Sequence, residues 1–347
     1  MVSEKKDIRS LTKEELRTFF KSIGDKAFRG NQVYEWLWSK GVHRFEDMTN
    51  ISKETRTHLE ENYVINHIEV NSLQRSSDGT VKNAVKLHDG LIVESVLIPT
   101  KKRTTACVSS QVGCSLDCKF CATARLKRMR NLNPDEIYDQ VVAIDKESRL
   151  YHNMPLSNIV FMGMGEPLMN YKNVLASIDK ITSEEGLGMA SKRITVSTSG
   201  VPKMIKKLAD DEVKFHLAVS LHSAIQETRE QIMPFAKNFT LDGLLESLEY
   251  WYEKTKRKIT YEYIVWDGIN DTYEAIDALV KFCKAVPCKV NIIEYNPIDD
   301  GEFQQAPKKA IDNYINALER NRIPVTVRKS RGKDIDAACG QLANKSS

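Results

Sequence analysis

The pattern of apolar and polar positions divides the chain into three stretches. In the first, apolar residues recur at helical spacing. Leu16, Phe19 and Phe20 follow Thr12 and Glu15, a pair that can satisfy orphan N–H groups at a helix start. Val33, Trp36 and Leu37 repeat the spacing within 32–38, and Ser52 can cap a third helix reaching Leu59. Residues 1–65 therefore read as a small helical domain.

Between residues 66 and 103 the period shifts towards two. Val81 to Leu87 and Leu91 to Ile98 are rich in alternating or β-branched residues, and Asp78-Gly79 and Asp89-Gly90 are hairpin turn signals. This stretch predicts a short antiparallel β extension.

From residue 104 to 347, short apolar runs alternate with amphipathic ones. Strands are expected at 106–110, 158–162, 194–197, 215–220, 259–265, 289–295 and 325–328. Helices are expected at 135–146, 174–182, 201–209, 241–253, 273–284 and 308–320, with Pro134 and Pro202 suited to first-turn positions. Such a series predicts an α/β fold with a parallel sheet, open or closed into a full or partial βα barrel.

Composition narrows the picture only slightly. The chain has 347 residues, 41% of them apolar, which is enough for a sizeable core. A net charge of +4 points weakly to a polyanionic partner; a solvated surface with a lysine excess is the plainer reading. No apolar run reaches the roughly 18 residues of a membrane span, and the charged start Met1 to Lys6 is not followed by an apolar segment. The expectation is a cytoplasmic protein with no membrane partner.

The cysteines change the picture more. There are seven, an odd number, and Cys114, Cys118 and Cys121 fall within eight residues, which argues against a secreted disulfide framework and for metal or catalytic thiols. Their spacing lets one loop wrap three corners of an iron–sulfur cuboid and leave the fourth iron open, where an electron-transfer cluster usually takes four cysteines. A zinc site completed by a distant Cys or His stays open as an alternative.

The cysteine loop follows the first expected strand of the βα series. Gly163-Met-Gly165-Glu166-Pro167 follows the second, Ser197-Thr-Ser-Gly200 the third, Ser220-Leu221-His222 the fourth and Asn296-Pro297 the sixth. Reactive groups gather beyond the carboxyl ends of strands in such folds, so these loops mark one face as the candidate site.

A CxxxCxxC loop in this position resembles the radical S-adenosylmethionine (SAM) superfamily, and Gly163 to Pro167 is similar to its glycine-rich SAM-binding segment. The runs Cys107 to Cys114, Gly163 to Leu168, Ser197 to Gly200, Ser220 to His222 and Gly332 to Leu342 narrow the resemblance to the RlmN/Cfr family of RNA adenine methyltransferases. The likeness spans nearly the whole chain. It implies a [4Fe-4S] cluster on Cys114, Cys118 and Cys121, and SAM contacts from Gly165, Glu166, Ser197, Ser220, Leu221, His222 and Asn296. It further implies that Cys339, in a C-terminal catalytic loop, carries the methyl group, that Cys107 is its disulfide partner at product release, and that Glu94 accepts a proton. The family pattern continues after the histidine as Pro-Ile/Val-Asn, where this chain has Pro234-Phe235-Ala236; that leaves the local loop geometry open.

The implied reaction is methylation at C2 of adenosine in 23S rRNA and in tRNA, using two SAM molecules per turnover. C2 lies between two ring nitrogens and is too electron-poor to attack SAM directly. A 5′-deoxyadenosyl radical circumvents this by activating a methyl group already parked on Cys339. Gly165 to Leu168 and Thr198 to Gly200 are more similar to the C2 enzymes than to the C8 enzymes of the Cfr type. The resemblance also implies an electron donor such as flavodoxin or ferredoxin, and a monomer.

Basic runs bear on the RNA. Lys101-Lys102-Arg103, Arg125 to Arg130 and Arg328 to Lys333 flank the expected site loops, where phosphates would pass. The helical 1–65 domain is expected to add RNA contacts. Without the family, Glu94 reads as a solvent-facing strand carboxylate, His222 as a structural histidine, and Cys283 and Cys288 as core thiols. Competing readings are a radical SAM activase that makes a protein radical, and a non-enzymatic zinc-stabilised RNA-binding module.

Overall fold

The computed structural model describes residues 5–298 and 301–344; residues 1–4, part of the charged start, lie outside them. Three helices lead: α1 (Lys13–Ser22), α2 (Phe28–Trp38) and α3 (Lys53–Asn62). Thr12 and Glu15 form a reciprocal capping box on α1, and the Ser52 hydroxyl accepts from Thr55 N–H at the start of α3.

This helical part is docked firmly on the rest of the chain. Arg9 makes two 2.7 Å hydrogen bonds to Asp139 on α4 (Pro134–His152). Tyr138 donates to the Trp38 carbonyl at 2.7 Å, and the two rings meet edge to face. One continuous apolar core runs from Leu16 and Trp38 through to Leu318.

Ten described strands form one sheet: β1 (Glu69–Arg75), β2 (Val81–Lys86), β3 (Ile92–Pro99), β4 (Thr104–Cys107), β5 (Asn158–Phe161), β6 (Ile194–Thr198), β7 (His216–Ser220), β8 (Ile259–Ile264), β9 (Cys288–Ile293) and β10 (Val325–Arg328). Their order across the sheet is their order in sequence. β1 to β4 pair antiparallel; β4 to β10 pair parallel throughout. The sheet ends at β1 on one edge and β10 on the other, so it is an open, partial βα barrel carrying an antiparallel extension. Both hairpin aspartates do what their turns need: Asp78 accepts from Thr80 N–H and Asp89 from Leu91 N–H.

The remaining helices cross between parallel strands: α5 (Tyr171–Thr182), α6 (Pro202–Asp210), α7 (Gln226–Ile232), α8 (Leu241–Thr255), α9 (Tyr273–Ala285) and α10 (Lys308–Arg320). All but α7 appear in the hydrophobic pattern. The first strand of the series differs in register from its expectation. It spans Thr104–Cys107, and Val108 to Ser110 already belong to the turn into the cysteine loop. No described helix is long and apolar enough to cross a membrane.

Candidate active site

The carboxyl ends of the parallel strands surround a cavity of about 230 Å³, lined among others by Cys114, Cys118, Cys121, Cys107 and Cys339. Its floor depends on two close backbone approaches. A Cβ on Gly163 would lie 2.7 Å from Ser109 Oγ and 2.8 Å from the Val108 carbonyl. Gly165 has φ +95°, and a Cβ there would fall 2.5 Å from the Gln111 side chain. Ser109 Oγ and Gln111 Oε1 exploit that closeness by accepting from Met164 N–H and Glu166 N–H.

Glu166 is buried and joins two loops. Its oxygens accept from Leu168 N–H at 3.0 Å and Ser199 N–H at 2.8 Å, while burial pushes its pKa up against those bonds. Ser197, Ser220, His222, Gly165 and Glu166 all line the cavity. His222 is held at φ +56°, and its Nδ1 accepts from Ile264 N–H at 3.2 Å, so the ring proton resides on Nε2. Burial, reinforced by Arg229, drives its pKa down to about 3 and keeps the ring neutral.

Leu221 and Asn296 do not wall the cavity. The Leu221 side chain is in the core, and its N–H donates to the Glu262 carbonyl. Asn296 donates to the Cys339 carbonyl at 3.2 Å, leaving its own buried Oδ1 unpartnered. Glu94 is also off the cavity wall. It is buried on β3, 3.4 Å from Lys82 Nζ, and accepts from the N–H groups of Ala343 and Asn344 at 2.8 and 3.1 Å.

Residues 337–344 form a strap across the site. Gly340 accepts from Ala122 N–H and Leu342 from the Thr123 hydroxyl, directly after Cys121. The strap presents Cys339 to the cavity as a free, accessible thiol. Surrounding protein pushes its pKa up to about 11; Cys121 and Glu262 add to the rise and Arg328 opposes it. Cys107, buried and free, is pushed up to about 12 by burial and then by Cys339, which makes the two thiols electrostatic neighbours.

Burial likewise raises Cys114 to about 12 and Cys118 well above the ordinary thiol value, so metal binding must displace protons there. Among the described residues, no three His, Cys, Asp or Glu side chains converge closely enough to hold a single ion. The three thiols line one cavity and feel one another's charge. A tetrahedral zinc needs ligands meeting about 2.3 Å from one centre, whereas a cuboid cluster needs them further apart.

Sequence reasoning missed Arg229, which comes from the short helix α7. Its guanidinium is fully buried and donates to the carbonyls of Ser199 and Leu221. No carboxylate pairs with it among the described residues, and its electrostatic partner is Cys118. Aromatic residues absent from the sequence argument also appear here: Phe120 packs edge to face on His222 at 4.8 Å, with Trp266 beside both. The Pro234-Phe235-Ala236 segment packs onto the cysteine loop, where Asp117 accepts from Phe235 N–H. The basic runs separate. Arg130 is locked between Asp89 and Glu136, whereas Arg328, Lys329 and Arg331 line the cavity and Lys127 and Arg128 are exposed.

Comparison with known proteins bears on this geometry. Residues 6–65 match the family described as the ribosomal RNA large subunit methyltransferase N-terminal domain, and residues 108–283 match the radical SAM superfamily. A probable dual-specificity RNA methyltransferase RlmN from Flavobacterium johnsoniae is 76% identical, with 99% of each chain covered. The chain belongs to the RlmN family. The corresponding protein of Clostridioides difficile is 41% identical, again over 99% of each chain. A radical SAM methyltransferase from Sphaerobacter thermophilus superposes with a TM-score of 0.90 at 34% identity, covering 97% of this chain and 99% of that one.

Family membership makes this an enzyme, a radical SAM RNA methyltransferase, and implies an iron–sulfur cluster and the use of SAM. The residues present fit such a cluster. Three thiols on one cavity wall can each take one corner, and the buried Arg229 charge, costly when uncompensated, gains an anionic partner beside Cys118.

Proposed function

We propose that this enzyme methylates C2 of adenosine in 23S rRNA and in tRNA through a methyl group carried on Cys339. The observation that carries the reading is the single cavity shared by the three thiols and the neighbouring free pair Cys107 and Cys339. Cys114, Cys118 and Cys121 would hold a [4Fe-4S] cluster. When bound there, the cluster and SAM supply a 5′-deoxyadenosyl radical, the hydrogen-abstracting agent that C2 chemistry needs.

The chain's own residues do the rest. The Cys339 thiolate takes a methyl group from one SAM by displacement, and a second SAM is used in each turnover. Gly165, Glu166, Ser197, Ser220 and His222 shape the SAM pocket; Asn296 and Leu221 support it from behind. Once the methyl carbon of Cys339 is bonded to adenine C2, Glu94 removes the C2 proton. Because Glu94 is capped by Ala343 and Asn344, the strap must shift for that step. The Cys107 thiolate then attacks the Cys339 sulfur, the sulfur–carbon electron pair leaves with the carbon, which takes up a proton to become the product methyl group, and the resulting disulfide awaits reduction. An electron donor such as flavodoxin or ferredoxin supplies the cluster. The protein works as a cytoplasmic monomer, with residues 1–65 as an accessory RNA-binding domain, 66–103 as a β extension and 104–347 as the catalytic domain.

Nucleoside mass spectrometry of ribosomal and transfer RNA from cells with and without the gene tests this. Gene-dependent 2-methyladenosine is expected; 8-methyladenosine in its place would reverse the regiochemistry. Deleting residues 1–65 is expected to weaken RNA binding, and unchanged affinity would refute that assignment.

A further inference from the structure

Glu262 is a buried carboxylate that none of the roles above employs. It sits on β8, is 3% exposed, and faces the cavity. One oxygen is fixed: Oε1 accepts from Asn291 Nδ2 at 2.9 Å and lies 3.6 Å from the Arg328 guanidinium. The other, Oε2, is buried with no hydrogen-bond partner. Register makes this placement firm. Ser220, Glu262 and Asn291 are lateral neighbours on β7, β8 and β9, so their side chains share one face of the sheet. An unpartnered carboxylate oxygen on a cavity-lining side chain is an acceptor waiting for a donor, and a small turn of the Glu262 side chain would bring the shielded Oε2 to the cavity.

The cavity has two ends. At one, Cys114 and Cys118 feel Glu166, with Arg229 beside Cys118. At the other, Glu262 and Arg328 act on Cys339, which also feels Cys121 of the cluster loop, and Cys107 feels Cys339 and Arg328. The cofactor belongs beside the cluster thiols and reaches Ser220, the strand neighbour of Glu262. The base that receives carbon from Cys339 must come to the second. Arg328, Lys329 and Arg331 rim that end and suit the phosphates of an extruded nucleotide.

Adenine C2 and C6 flank the same ring nitrogen, N1. C2 also adjoins N3, so a group beside Cys339 meets one of two flanks when C2 faces the methyl carbon, and the N1–C6 flank is the one that carries a hydrogen-bond donor. We propose that Glu262 is a specificity-determining residue for the RNA substrate, its free Oε2 accepting a hydrogen bond from the 6-amino group of the target adenine. The assignment rests on the methyl-cysteine reading above. SAM carries a 6-aminopurine too, so the test separates the two sources.

The test uses the cluster-loaded full chain and two RNA fragments that differ only in carrying adenosine or purine ribonucleoside at the target position. Glu262→Leu is expected to lower kcat/KM for the adenosine RNA by about 10- to 100-fold, the range for one hydrogen bond to a charged group, and to change the purine RNA by less than about threefold. Glu262→Gln, which keeps the shape and an acceptor oxygen, is expected to lower the adenosine preference by only about threefold. Methylation of Cys339 by SAM without RNA, read as intact mass, is not slowed, because losing the Glu262 charge eases formation of the Cys339 thiolate. An unchanged adenosine-over-purine preference in both variants, or in Glu262→Gln alone if Glu262→Leu does not fold, overturns the proposal. A fall in Cys339 methylation matching the fall on RNA also overturns it and assigns Glu262 to the cofactor. If wild-type protein never carries a methyl group on Cys339, the methyl-cysteine reading fails instead.

Discussion

The strap over the cavity is held in large part by one carboxylate. Glu94 Oε2 accepts two backbone N–H bonds, from Ala343 and Asn344, while Oε1 faces Lys82; both side chains of this pair are almost fully buried. Lys82→Met/Glu94→Gln removes both charges at once, so neither is left buried alone, and global stability should change little. The strap should loosen nonetheless. Each bond passes from a charged to a neutral acceptor, a loss of about 1 kcal/mol, or about 2 kcal/mol for the two. That corresponds to roughly 30-fold more open strap. Hydrogen exchange followed by mass spectrometry reads it directly: the Ala343 and Asn344 amides should exchange about 30-fold faster, with the β8 and β9 amides unchanged as the internal control. Equal exchange in variant and wild type, with equal melting, would refute the claim that Glu94 holds the strap.

Other consequences are as direct. Arg9→Met strands Asp139 beside Asp135, and should cost about 3–5 kcal/mol in denaturant unfolding, with Arg9→Met/Asp139→Asn recovering most of it. Gly165→Ala combines a positive φ with a backbone clash and should cost about 2–5 kcal/mol, with SAM binding by calorimetry weakened in whatever folds. His222 has a folded pKa of about 3, so the unfolded chain protonates first on acidification. Its contribution is complete above about pH 6.5 and is lost as pH falls towards 3; His222→Asn, which tolerates positive φ, should flatten that slope in urea titrations. Asp135 works in the opposite sense. Burial raises its folded pKa to about 7, so stability falls as pH rises from about 4 to 7, and Asp135→Asn should abolish that fall.

What the sequence displayed and what it concealed depend on reach. Parallel strands are short, apolar and bounded by helix signals, so β5 to β10 and their loops stood out. Cys114, Cys118 and Cys121 stand out by their spacing and Gly165 by its place after a strand, whereas Cys339, a lone late cysteine, is singled out only by the family resemblance. Helix α7 has seven residues, too few for a period to emerge, and with it went Arg229. Glu94 reads as solvent-facing from alternation, but α4 packs on β3 and the strap's N–H groups cap the carboxylate. Arg130 looks like a free phosphate ligand until Asp89, 41 residues earlier, is brought beside it. Glu262 gave no signal, since a carboxylate in a β-branched run acquires meaning only from Asn291 and Arg328 on later strands.

The sheet order, which runs along the chain without a skip, has a consequence for manufacture. On a ribosome the cluster loop is complete more than two hundred residues before the strap. The bond from Ala343 to Glu94 spans 249 residues, and the one from Leu342 to Thr123 spans 219. A nascent chain thus carries Cys114, Cys118 and Cys121 long before it has Cys339, the proposed methyl carrier. Under the proposed mechanism, a chain cut short before Cys339 cannot begin the reaction. The order of assembly makes the reactive carrier the last part of the site to arrive.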